Sequence, residues 1–73
     1  MLDRMAVRSK DIAIIGYDSE EKMLEVAFKT GRIYHYGGVS QDVFKAFMSA
    51  DSFGTFFQEH IRDKYPYNRI NSN

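Results

Sequence analysis

Two groups of side chains in this sequence combine types that bind polyanions and aromatic rings. The first lies between Arg62 and Arg69, where Arg62, Lys64 and Arg69 stand among Tyr65, Tyr67 and Asn68. Cations interleaved with rings can meet a phosphate and a base together. The competing reading is a solvated helix end, where Arg62 and Lys64 are favoured by the helix dipole. Glu59 and Asp63 dilute the charge, and Arg32 extends the patch if its hairpin tip folds towards it. The second group is the pair Tyr34 and Tyr36. On an exposed strand such rings stack bases. Beneath a helix they are core, each hydroxyl reaching a polar partner.

Other chemistry has less support. His35 and His60 are the only histidines and no HExxH spacing is present, so no metal site is expected. His60 falls on an apolar helical stripe and reads as a partly buried residue. Gly37-Gly38 ahead of a helix start suggests anion capture, but the longer P-loop pattern is missing and a plain strand-to-helix turn explains it. The serines at 9, 19, 40, 49, 52 and 72 fall mostly at turns or caps, and no carboxylate pair stands out. Without a nucleophile, base and orienter, neither an enzyme nor a cofactor is expected.

The elements that must position these residues follow from periodicity. Lys10 to Tyr17 reads as a strand, and so does Met23 to Phe28, in which Leu24, Val26 and Phe28 alternate with Met23, Glu25 and Ala27. Arg32 to Tyr36 is the third. Short turns between them predict an antiparallel meander. Ser40 caps a helix carrying Val43, Phe44, Phe47 and Met48 on one stripe. Asp51-Ser52 starts a second helix carrying Phe53, Phe56, Phe57, His60 and Ile61, which ends before Pro66. The expectation is an α+β domain: a three-stranded antiparallel β-meander followed by two α-helices packed on one face (βββαα), spanning 9–70. Segments 1–8 and 71–73 read as flexible tails.

The Lys29-Thr30-Gly31 turn controls where the tyrosines point. A two-residue turn sets Phe28 opposite Ile33 and sends Tyr34 and Tyr36 to the face away from Leu24, Val26 and Phe28. A three-residue turn with Gly31 left-handed sets Phe28 opposite Arg32, Val26 opposite Tyr34 and Leu24 opposite Tyr36. Glycine suits the second form, which is preferred; it puts His35 on the outer face.

Seventy-three residues make one domain, and one this small has a thin stability margin. The absence of cysteine excludes disulfides and fits a reducing, cytoplasmic setting. Eleven aromatics supply the compensating core area. Ten basic and ten acidic residues leave no net charge, which counts against, without forbidding, a nucleic-acid surface. No apolar run reaches membrane-spanning length, so no membrane association is expected.

Gly16-Tyr17-Asp18, Leu24, Val26, Phe28, Gly31 and Tyr34-His35-Tyr36, then Gly38-Val39-Ser40, Phe44, Ala50, Ser52, Gly54, Phe57, Ile61 and Tyr65, together resemble the KTSC family. That family is named for a module at the C-terminus of some lysyl-tRNA synthetases and also occurs as a free-standing bacterial or phage protein. Its mark is a central Tyr-x-Tyr. The resemblance runs over Ser9 to Ile70, with Ser40 where members often carry proline; both suit a helix start. It implies a domain of unknown function for which attachment to a synthetase suggests RNA binding.

Two functions stand nearly level on this reading. One is RNA or other nucleic-acid binding through Arg62, Lys64, Tyr67, Arg69 and Arg32, with Tyr34 and Tyr36 as architecture. The other is protein interaction or homo-oligomerisation, suggested by neutral charge and aromatic content. Capture of a small anionic ligand such as a nucleotide, near Gly37-Gly38 and the basic tail, ranks third.

Overall fold

The computed structural model describes residues 2–70. Its centre is the meander that the periodicity predicts: β2 (Ile12–Asp18), β3 (Met23–Phe28) and β4 (Ile33–Tyr36). The three-stranded expectation is nonetheless wrong. β1 (Asp3–Ala6) pairs with β2 and β5 (Tyr67–Ile70) pairs with β4, giving a five-stranded antiparallel sheet in the order β1-β2-β3-β4-β5. The segment read as a tail over 1–8 therefore holds a strand; 71–73 lie outside the described residues. Both added strands are edges, and every residue of β1 is exposed. An edge strand needs no apolar alternation, and polar, charged residues suit it. β5 also closes over a distance in sequence that no turn signal marks.

The hairpin register is the one a left-handed Gly31 predicts. Gly31 has φ of +98°. Its N–H donates to the Phe28 carbonyl at 2.9 Å, and the Phe28 N–H donates to the Arg32 carbonyl at 2.8 Å. Leu24 then pairs with Tyr36 and Val26 with Tyr34. An irregularity between Ile12 and Ile14 changes the parity of β2, so that Ile12 and Ile15 are both buried.

Two helices cover one face. Ser40 caps α1 (Gln41–Met48) by accepting from the Val43 N–H at 3.2 Å, and Ser52 caps α2 (Phe53–Phe56) by accepting from the Thr55 N–H. α2 continues as a π-helical turn, Phe57–Ile61, closed by the Arg62 N–H donating to the Phe57 carbonyl at 2.8 Å. The wider turn buries Phe57 and Ile61. His60, expected to be partly buried, is instead exposed, its ring tilted against Phe56 with centroids 4.6 Å apart.

The core between helices and sheet joins Ile12, Ile15, Tyr17, Leu24, Val26 and Tyr36 from the strands to Phe47, Phe57 and Ile61 from the helices. Val39 completes it. Tyr17 stacks on Phe44 with centroids 4.5 Å apart, and its hydroxyl donates to the buried Val39 carbonyl at 2.6 Å. Burial, aided by the charge of Asp18, pushes its phenol pKa up. Among the described residues no helix is long and apolar enough to cross a membrane.

Gly31 is open to solvent, with no atom within 4 Å of where a Cβ would stand, so the strain of Gly31→Ala is purely conformational. That substitution should cost about 1–2 kcal/mol of unfolding free energy, read by urea denaturation. A loss near zero would show that the turn does not depend on the left-handed residue.

Candidate functional site

β4 and β5 carry a row of rings on the helix side of the sheet. Tyr36 pairs directly with Tyr67, and Tyr34 with Arg69, so all four side chains share that face. Tyr34 and Tyr67 meet edge-to-face at 5.8 Å, and Tyr36 lies 5.7 Å from both Tyr67 and Phe57. Phe28 joins the set at 6.0 Å from Tyr34 and 5.3 Å from Phe57. Rings in these tilted and edge-on arrangements are individually favourable and fix one another's orientation.

The π-helical turn covers this array only in part: its Phe57 packs on Tyr36 and Phe28, while Tyr67 stays exposed and Tyr34 half-buried. Between it and the hairpin tip lies a cleft of about 610 Å³. Tyr34, Tyr36, Tyr67, Phe28 and Phe57 supply its apolar wall, and Lys10, Lys29, Arg32 and Arg62 its cations. Asp11 and Asp63 are the acids at its edge. The volume falls within the range of small-ligand sites. Arg62 is held at the rim by donating to Gln58 Oε1 at 3.0 Å. Asp63 takes the left-handed conformation at φ of +63°, which short polar side chains tolerate, and this turns the chain from helix into β5. Tyr36 is 4% exposed. Burial, reinforced by Tyr34 and Tyr67, pushes its phenol up to about 12, so the hydroxyl stays neutral and able to donate throughout the physiological range.

The sequence-predicted residues therefore divide. Arg32, Arg62 and Tyr67 converge on the cleft with Tyr34 and Tyr36, while Lys64 and Arg69 are exposed and do not line it. Both tyrosines lie on the core side and line the cleft, but they differ in exposure: Tyr34 is half-buried and reaches the opening, whereas Tyr36 is buried and backs the wall. Lys10 and Lys29 were not singled out in the sequence; both flank turns whose convergence depends on the folded register.

The opposite face of the sheet holds a cluster that the sequence reading missed. Glu25 is only 5% exposed although it lies on the outer face. Its carboxylate accepts from Arg4 Nε at 2.6 Å and Nη2 at 3.2 Å, and from His35 Nε2 at 2.8 Å. An ionised carboxylate is acceptor-only, so Nε2 must carry the proton. Arg4, Gly16, Glu25 and His35 form one row across four strands. Gly16 leaves the space: a Cβ there would stand 3.1 Å from Arg4 Cγ. The Glu25–His35 pairing is legible once the hairpin register is chosen. Arg4 is not, because it depends on β1.

His35, on this outer face, and His60, on the helix side, lie on opposite sides of the sheet. Among the described residues no three His, Cys, Asp or Glu side chains gather as a metal site. Gly38 has φ of +77°, and the Gly37 N–H is taken by the Pro66 carbonyl at 2.9 Å. The Gly37 N–H is thus used to extend the pairing of β4 with β5 rather than left free for an anion.

The hydrogen bonds from Arg4, then those from His35, hold the Glu25 carboxyl below its ordinary range, against the effect of burial. A lowered carboxyl pKa contributes stability that is complete above the unfolded-chain value of about 4.3 and is lost as pH falls through the folded value. Glu25→Gln should thus cost about 1–3 kcal/mol at neutral pH, with the difference from the parent shrinking below about pH 4. Denaturant titrations at stepped pH test this. A pH-independent difference would mean that the carboxylate's charge is not what matters.

The sequence model of the KTSC domain matches residues 8–65. A protein from Stutzerimonas stutzeri is 37% identical over 70 residues, covering 94% of this chain and 99% of its own. The crystal structure of a KTSC domain protein from Yersinia pestis is similar with a TM-score of 0.91 at 39% identity, covering 97% of this chain and all of that one.

Proposed function

The chain belongs to the KTSC domain family, and from that premise we propose that it is a cytoplasmic binding module, not an enzyme, that holds a short single-stranded segment of RNA in the aromatic cleft. The observation carrying this reading is the convergence of Arg32, Arg62 and Tyr67 on the Tyr34–Tyr36 array. Single-stranded bases stack on such rings irrespective of sequence, while cations at the rim meet the phosphates. Tyr67, 54% exposed on an edge strand, is the ring best placed to stack a base. Arg32 and Arg62 supply charge from opposite walls, the hairpin tip and the end of the π-helical turn.

Fluorescence titration with a short single-stranded RNA at low salt tests the reading. Tyr67→Ala should weaken binding by about 1–3 kcal/mol. Arg32→Ala and Arg62→Ala should each lower the slope of log affinity against log salt by about 0.7. No binding by the parent protein, or no effect of Tyr67→Ala, would end this assignment.

A second reading, self-association, is supported by a different surface. Ala6, Ile14, Ala27, Ile33 and Ile70 form one apolar row across all five strands on the outer face. Among the described residues β1 and β5 each pair with one strand only, which leaves their outer edges to a second copy. Sedimentation equilibrium from micromolar to millimolar protein should reveal a dimer if this face is used. A monomer throughout that range would rule it out.

A further inference from the structure

Beside the aromatic cleft lies a second one of about 580 Å³, and the two share Lys10, Asp11 and Gln58 in their walls. We propose that they are adjoining subsites of one groove, so that the ligand is an extended strand of several nucleotides crossing the Lys10–Gln58 seam. This rests on the nucleic-acid reading of the aromatic cleft and specifies the length of its ligand.

The two subsites differ in chemistry. The first has a wall of tyrosines and a cationic rim, suited to stacking and phosphate contact. The second contains no tyrosine. It is bordered by Arg8, Ser52, Thr55 and a single ring, Phe53, with the carboxylates of Asp11, Asp51 and Glu59, along the start of α2 and the chain leading into β2. Its carboxylates disfavour a phosphate within it and suit the amino groups on the edges of cytosine and adenine. A strand that turned its phosphates to Lys10 and Arg8 would bring the next base against these acceptors. Gln58 ties the seam to the first subsite, because its amide oxygen accepts from Arg62 at the cleft rim. The division of work is therefore stacking and charge in one half, base-edge contact in the other.

The test is the length dependence of affinity for synthetic single-stranded RNA. A nucleoside monophosphate and a cytosine- or adenine-containing tetranucleotide are titrated against the parent, Thr55→Tyr and Arg8→Ala. Thr55 and Arg8 are exposed and line only the second cleft. The parent should bind the tetranucleotide about tenfold or more tightly than the monophosphate. Thr55→Tyr, which sets a bulky side chain in the path through the second cleft, should remove most of that gain without changing monophosphate affinity, and Arg8→Ala should reduce it. A tetra-uridine should gain less than tetra-cytidine. Equal affinity for monophosphate and tetranucleotide overturns the two-subsite groove while leaving the aromatic cleft as a nucleotide site. A gain that survives in both variants also overturns it. Failure of every RNA to bind the parent overturns the earlier reading and this one together.

Discussion

The Gly31 turn determines what each face of this sheet carries. A one-residue change in hairpin register exchanges the two faces of a strand. With Gly31 left-handed and the Phe28–Arg32 hydrogen bond made, Tyr34 and Tyr36 join Leu24 and Val26 on the helix side, while His35 falls opposite Glu25 outside. The aromatic cleft and the outer ion cluster are thus two consequences of one turn. The slipped register would separate Tyr36 from Phe57 and bring a histidine towards an apolar core.

The outer cluster answers a different problem. β1 is short, exposed and joined to β2 alone by backbone pairing. Arg4 reaches across Gly16 to Glu25 on β3, so β1 is tied to a strand two places away. Glu25 in turn holds His35 on β4. A carboxylate this shielded is tolerated because its hydrogen-bond partners are charged or polar and suitably placed, whereas an unpaired one would be costly. In a chain with no disulfide to tie its first residues, this is a side-chain route to the same end.

Legibility in the sequence tracked how local each interaction is. The meander, its turn and both serine caps depend on neighbours a few residues away and on side-chain period, and they could be read; the burial of Tyr36 stays open at that level, because it rests on Phe57 and Tyr67, far along the chain. β1 and β5 could not. Each has polar residues because an edge strand has solvent on one side, and β5 reaches β4 only after two helices have intervened. The fate of the basic–aromatic tail followed from that pairing. Tyr67 pairs with Tyr36 and faces the cleft, Arg69 two residues on pairs with Tyr34 beyond the cleft lining, and Lys64 stays in the turn before the strand. Sequence proximity grouped these residues; strand pairing separated them. The same limit hid Lys10 and Lys29, which come together only when β2 and β3 are paired: the Lys29 N–H donates to the Asp11 carbonyl at 2.8 Å.

Core and surface roles for the tyrosine pair prove not to be alternatives. The helices are too short to cover five strands, so they bury one part of the aromatic row and leave the rest as a wall. Tyr36 is locked by burial and by rings on three sides, and Tyr34, half-buried beside it, inherits that rigidity. A wall already held in place loses little freedom when a ring stacks on it, so more of the contact energy appears as affinity. The neutral net charge weighs against a general attraction for polyanions. Long-range attraction of a polyanion is weak when acids and bases balance over the whole surface. Four cations against two acids around one cleft give a local preference without a general one. On the proposed RNA-binding reading, affinity would come from stacking in a fixed aromatic wall more than from phosphate neutralisation, and selectivity would favour strands whose bases are free to leave a duplex.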